Sequence, residues 1–306
     1  MSVSALKKSG KKWGRAALLA AFFILSRAAS AFAAPEPWGI GMQSGISPLR
    51  DRMDDFHNLL LYVIFGIVIF VLGLLVYVIF RFNARANPTP SNFAHNTPLE
   101  IVWTVIPIII LAVISVPSIQ LLYFGDKLAK PDMTLKITGH QWYWSYEYPD
   151  HGNIAFDARP IWDSSATTSE QAAELLKDAS PKWLIPTAEP LRMLETDNRL
   201  VLPVGVNIRL LFTGADVIHS WLVPSLGVQE AAIPGRLGER WVKADREGIY
   251  YGQCTLICGA GHGYMPIVIE AVSPERFAAW VKTKHDQADG GAGLEPGGIR
   301  LARMSK

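Results

Sequence analysis

Hydrophobic and polar positions divide the chain into two regimes that meet near residue 125. In the first regime, residues 59–80 run for 22 positions without a charge. As a helix they reach about 33 Å, enough to cross a hydrocarbon core of about 30 Å. Residues 101–124 form a second uncharged run of 24 positions, and its Pro107 and Pro117 are tolerable in a membrane helix. The loop between the runs carries Arg81 and Arg85 and no acid before Glu100, whereas Asp51, Asp54 and Asp55 precede the first run. This asymmetry puts the loop in the cytoplasm and both termini outside.

Beyond Lys127 no further run is long enough to span. Short β-like stretches take over at 134–138, 142–148, 207–213, 217–223, 240–244, 248–253 and 266–271, punctuated by Gly and Pro. In the first of these Leu135 and Ile137 share a face. Such spacing predicts a β-sandwich or barrel. Residues 152–190 interrupt the series and read as an inserted lobe, in which Thr168 to Gln171 make a capping box for a short helix to about Lys177. Ser273-Pro274 reads as an N-cap with proline at the first helical position, opening a helix to about Lys284. Residues 287–306 are Gly-rich and polar and read as a disordered tail.

Composition changes this picture in two places. The chain has 306 residues, half of them hydrophobic, with a formal charge of +2; that allows one or two domains and gives no reason to expect nucleic acid. At the N-terminus Lys7, Lys8, Lys11, Lys12 and Arg15 precede an apolar run at 16–25, and Ala31-Phe32-Ala33 follows. This is the pattern of a secretory signal peptide, cleaved after Ala33. The expected organisation is therefore a signal peptide at 1–33, a two-span hairpin at 34–126, a globular domain at 127–286 and a tail at 287–306.

The chemistry is concentrated in one stretch. Both cysteines of the protein, Cys254 and Cys258, lie with His262 and Met265 inside twelve residues. Soft sulfur with imidazole selects copper or zinc, and a weak axial thioether tilts the choice to copper. Gly259, Gly261 and Gly263 argue for a tight loop rather than a helix. One blue-copper ion needs a single Cys and two His, so two thiolates point instead to a pair of bridged ions. The second imidazole is then best sought at His219, in an apolar strand pattern upstream, as a cupredoxin-like sandwich would require. On residue chemistry alone a disulfide and a zinc site stay open.

The stretch from Gly252 to Ile267 resembles the binuclear copper loop of cytochrome c oxidase subunit II in the haem–copper oxidases. The run from Gly139 to Tyr148 resembles that family's aromatic segment. Asp216 to Trp221, Val223 to Gly227 and Ile233 to Arg236 resemble its first-histidine segment. The resemblance covers about residues 56–280, outside the lobe. It implies an α+β membrane protein, with a two-helix transmembrane hairpin followed by an all-β cupredoxin-like sandwich, in a bacterial inner membrane with the sandwich on the periplasmic side. It further implies that Cys254 and Cys258 bridge two copper ions, that His219 and Met265 complete one, and that His262 and the backbone carbonyl of Leu256 complete the other. Trp142 becomes the point where electrons arrive from cytochrome c. Glu147, Asp150 and Asp216 become candidates for an acidic docking face. Glu100, assisted by His95, becomes the entrance of a proton-uptake path into subunit I.

One departure from the family stands out. Residue 256 is Leu where the family usually has Glu, whose side chain holds a magnesium ion at the subunit I interface, and Ala231 stands where an acid is common. The copper site keeps its carbonyl, while the magnesium is lost or held by other groups. The expected function is the electron-accepting subunit of a respiratory cytochrome c oxidase, partnered by subunit I, other oxidase subunits, cytochrome c and membrane lipid. No haem ligands and no catalytic acid–base pair of its own are evident. A quinol oxidase subunit of the same fold would lack the copper ligands. A copper chaperone would have one anchor and a βαβ pattern, and a structural domain with one disulfide would bind no metal.

Overall fold

The computed structural model describes residues 39, 41–89, 91–127, 130–161, 184–185 and 191–291, with side chains to 287. The expected signal peptide, the capping-box helix at 168–177 and most of the expected tail lie outside these residues.

Two long helices come first, α1 (Pro48–Arg81) and α2 (Thr97–Asp126). Each begins on a capping side chain followed by proline in the first turn. Ser47 accepts from the Arg50 N–H, and Asn96 accepts from the Leu99 N–H. Both caps satisfy backbone donors that the helix itself leaves free. The apolar stretches of both helices are exposed, with no residue buried. Such surfaces call for lipid as their solvent.

The rest is a sandwich of two five-stranded sheets. The first sheet contains β1 (Met133–His140), β2 (Tyr143–Tyr148), β3 (Ile154–Ala158), β5 (Ile208–Gly214) and β8 (Gly238–Val242), in the order β3-β2-β1-β5-β8. The second contains β4 (Leu200–Pro203), β6 (His219–Val223), β7 (Val228–Ala232), β9 (Gly248–Cys254) and β10 (Pro266–Val272), in the order β4-β10-β9-β6-β7. Alternation in β1 and β2 turns Leu135, Ile137, Trp144 and Tyr146 inward, where they meet Trp221, Val223, Ile267 and Ile269 from the facing sheet. Strand β10 is buried along its whole length because Ile185, Leu191 and Leu194 cover its outer side together with Ile249 and Tyr251.

Two expectations are revised. The lobe read at 152–190 begins later than expected. Gly152, at φ +70°, closes a turn that sends Ile154–Ala158 back along β2 as a fifth strand of the first sheet. The terminal helix, α3 (Pro274–Gly291), runs past Lys284, so the tail read from 287 starts as helix. Phe277 and Trp280 pack it on Tyr148.

The hairpin is joined to the sandwich at both ends. Ahead of α1, Ile46 is buried in the sandwich core, its N–H donates to the Ser225 carbonyl at 2.9 Å, and the Ser47 hydroxyl donates to the Leu226 carbonyl at 2.6 Å. At the end of α2, the Trp241 indole donates to the Phe124 carbonyl at 3.3 Å, and Arg240 pairs with Asp126 at 2.6 Å.

Candidate metal centre

Strand pairing brings the chemistry together. β6 and β9 are antiparallel neighbours, with Trp221 opposite Cys254. His219 therefore starts one strand where Cys254 ends the other. The chain then leaves β9, turns through 255–265 with one 3-10 turn at His262–Tyr264, and returns as β10. The Cys254 N–H donates to the Met265 carbonyl at 3.1 Å, which closes the loop.

Inside the loop both cysteines are free thiols, with their sulfurs 3.9 Å apart. That distance is well beyond a disulfide bond of about 2 Å. A ring nitrogen of His219 and the two sulfurs lie within 4.8 Å of one another. His262 Nδ1 is 3.7 Å from the Cys258 sulfur, and the Leu256 carbonyl oxygen is 3.4 Å from that of Cys254. Met265 is 1% exposed, so its thioether is held in the same interior. All six groups named from the sequence thus converge on this loop or its immediate wall.

The orientation of His219 tests whether these residues fit a metal. Its Nε2 is 2.8 Å from Asp216 Oδ1, while Nδ1 is buried and has no hydrogen-bond partner. A carboxylate on one nitrogen fixes the tautomer and leaves the other lone pair for a metal. A buried nitrogen without a partner beside two thiols is costly unless something binds it. The donor set of thiols, imidazoles and a thioether fits copper.

Electrostatics supports the same arrangement. Burial resists charge on Cys254, but hydrogen bonds from His219 and from the Ser220 and Leu256 backbone outweigh it and bring the thiol to about 6. Burial and the neighbouring Cys254 hold Cys258 up at about 12. Alone, the pair carries one negative charge at neutral pH and resists a second. Burial also opposes charge on His219, yet Cys254 and Asp216 raise its pKa; Asp216 is lowered despite partial burial because it accepts from His219 and from the Val217 and Gln141 N–H groups.

Trp142 lies against the outside of the loop. Its indole Nε1–H donates to the Cys258 carbonyl at 3.2 Å, and the Gln141 side chain donates to the same oxygen at 2.8 Å. The ring is so close that a Cβ on Gly261 would sit 2.3 Å from it. Two neighbours invisible in the one-dimensional reading emerge here. Gln141 ties the aromatic segment to the loop, and Gly139 has no Cβ because one would stand 2.8 Å from the His219 ring. Only the adjacency of Gln141 to Trp142 hinted at the first.

The other expected positions are dispersed. Asp216 belongs to the centre as the orienter of His219. Glu147 pairs with Lys136 at 2.8 Å and Asp150 accepts from the Thr134 N–H at 2.6 Å, both at the far end of β2 from Trp142. Glu100 is in the first turn of α2 and accepts from the Asn96 N–H at 3.2 Å; His95 lies just ahead of that turn and is exposed. Leu256 and Ile257 are exposed on the rim of the loop.

A two-span anchor carrying a cupredoxin-like sandwich, with a thiol–imidazole centre at one end, defines a membrane-bound domain with a copper-type site. Two family patterns match the chain: cytochrome c oxidase subunit II, transmembrane domain, over residues 35–121, and cytochrome c oxidase subunit II, periplasmic domain, over 133–272. The chain belongs to the cytochrome c oxidase subunit II family, and so to the components of an oxidoreductase complex. Among its relatives, the probable cytochrome c oxidase subunit 2 of Rickettsia felis is 43% identical over 94% of this chain and 84% of its own length. The cytochrome c oxidase subunit 2 of Cereibacter sphaeroides is 40% identical over 84% and 82%. The crystal structure of the periplasmic domain of subunit II of cytochrome oxidase of Bradyrhizobium japonicum covers 53% of this chain and 99% of its own, at 40% identity and a TM-score of 0.43.

Proposed function

We propose that this chain takes single electrons from cytochrome c at its Cys254–Met265 loop and delivers them to haem in subunit I, the loop holding two copper ions. The observation that carries the reading is the pair of free thiols 3.9 Å apart, faced by the unpartnered Nδ1 of His219. Cys254 and Cys258 would bridge the ions. His219 and Met265 would complete one, and His262 with the Leu256 carbonyl the other. When bound, such a bridged pair shares one electron and so reorganises little on each transfer.

The remaining residues position and shield. Asp216 holds His219 by Nε2 and, through the Gln141 N–H at 2.7 Å, also holds the start of the aromatic turn. Trp142 covers the loop and hydrogen-bonds the Cys258 carbonyl, which makes it the shortest covalent and hydrogen-bonded route from the surface to a thiolate. The acids Glu147, Asp150 and Asp216 would steer a basic cytochrome. Glu100 and His95, at the opposite end of α2 from the sandwich, would lie at the entrance of a proton-uptake path. The exposed Leu256 side chain and Ala231 offer no ligand for a cation, so magnesium at the subunit I contact would have to rely on other groups. Membership of the family supports a bacterial inner membrane with the sandwich outside, after removal of residues 1–33.

Copper titration of the purified full chain tests the reading. Two coppers per chain and a mixed-valence species with the electron shared by both are expected; Cys258→Ser should abolish the second copper. One copper with a localised electron would sink the proposal. Separately, Trp142→Phe removes the indole N–H. Electron uptake from cytochrome c by the assembled oxidase should slow at least tenfold, as expected for a lost charge-transfer contact worth more than about 1.4 kcal/mol of barrier, while copper content is unchanged. Copper loss in this variant would show that the ring is structural.

A further inference from the structure

Between the two spans, at their sandwich end, lies a cleft of about 240 Å³ lined by Arg52, Asp55, Phe56, Leu59, Gln120 and Leu121. Its upper wall is polar and its lower wall apolar. The division coincides with the point where the charges ahead of the first apolar run give way to Leu59. Gln120 is about 30 Å along α2 from Glu100, which puts it at the opposite membrane boundary.

Three side chains at this level have unspent polar groups. Arg52 lies over the Phe124 ring, 3.7 Å from its centroid, which fixes the guanidinium at the mouth while leaving its edge donors free. Among the described residues, the side chains of Arg52, Asp55 and Gln120 make no hydrogen bond or ion pair. Arg52 and Asp55 are one helical turn apart on α1 yet do not pair. At a membrane boundary, an unpaired cation and anion side by side ask for a ligand bearing both signs.

We propose that this cleft binds the headgroup of one phospholipid with a phosphate and a primary ammonium, a phosphatidylethanolamine, from the leaflet nearest the sandwich. Arg52 and Gln120 donate to the phosphate oxygens, and Asp55 accepts from the ammonium. The glycerol end of the acyl chains lies on Phe56, Leu59 and Leu121. A free phosphate would leave the apolar wall wet and Asp55 unpaired. A purely anionic lipid would bring its charge against Asp55.

Native mass spectrometry of the delipidated full chain and of the assembled oxidase, each offered phosphatidylethanolamine or phosphatidylglycerol, tests this. The wild type should retain one phosphatidylethanolamine and prefer it to phosphatidylglycerol by about tenfold, the size of one charged hydrogen bond. Arg52→Ala should weaken retention of both lipids by about tenfold. Asp55→Asn should remove the headgroup preference while phosphatidylglycerol still binds. Because both side chains are exposed, the variants should keep wild-type copper content, which serves as the folding control. Equal retention of the two lipids by the wild type, indifference to Arg52→Ala, or a lipid held by the isolated chain but missing from the assembled oxidase would overturn the proposal. None of these outcomes depends on how many coppers the loop holds.

Discussion

Replacing Arg199 by Met is expected to destabilise the sandwich by about 3–5 kcal/mol, the usual cost of stripping one partner from a buried ion pair. Arg199 is fully buried and faces two carboxylates. It binds Glu195 through Nε and an Nη, both at 2.8 Å, and Glu270 at 3.0 Å, with neither acid more than 1% exposed. Glu270 in turn accepts from the Leu184 and Ile185 N–H groups at 3.0 Å each, which pins the end of the lobe region onto β10. Without the guanidinium, two negative charges remain in the interior. Burial already raises the Glu195 pKa with Arg199 present. An acid whose folded pKa lies above its unfolded value is relatively more stabilising at low pH, and that stability is lost as pH rises through the folded value. The deficit of the variant should therefore shrink on acidification, as the folded form takes up protons. Urea midpoints followed by tryptophan fluorescence at mildly acid and at alkaline pH check this, and an equal deficit at both would refute the account.

Gly252→Ala should cost as much or more and should also empty the metal centre. A Cβ at 252 would stand 2.1 Å from the Leu222 carbonyl oxygen and 2.7 Å from a Val223 methyl. Overpacking a core costs about 1–3 kcal/mol when side chains can yield; here the obstacle is backbone, so β6 and β9 must part. Those strands carry His219 and Cys254, and their separation sets the distance between imidazole and thiol. Copper content and thermal midpoint should fall together. Gly263→Ala is the control, since a Cβ there meets nothing within 4 Å. It should change neither. A Gly252→Ala protein with full copper content would show that the sheet absorbs the methyl without moving the ligands.

Some features were readable along the chain because a local rule covers them. The two spans follow from uninterrupted apolar length. Strands β1, β2, β5, β8, β9 and β10 follow from alternation or from apolar runs between glycines and prolines. Strands β3, β4 and β7 were not read. Leu200–Pro203 is four residues long and buried throughout, so it has no polar face to alternate. Val228–Ala232 is short, with Gln229 and Glu230 at its centre, and β3 hides behind Gly152 and Asn153. The ligands in the loop were legible because sulfur and imidazole are crowded into twelve residues. The role of Asp216 was misjudged in emphasis: it reads as a surface acid, and only the fold shows its carboxylate on His219. The Arg199 cluster was not legible at all, because Glu270 lies 71 residues away and charges in a sequence look the same whether solvated or buried.

The double joint between hairpin and sandwich has a consequence for encounter. A domain hung from a single linker would sample many heights and tilts above the bilayer. Here the chain is fastened on entering α1, through Ile46 and Ser47, and again on leaving α2, through Phe124 and Asp126. Two fasteners remove the swivel that one would allow. The rim formed by Trp142, Leu256 and Ile257 therefore keeps one altitude and one bearing relative to the lipid surface. For a partner drifting along that surface, the search has two dimensions rather than three.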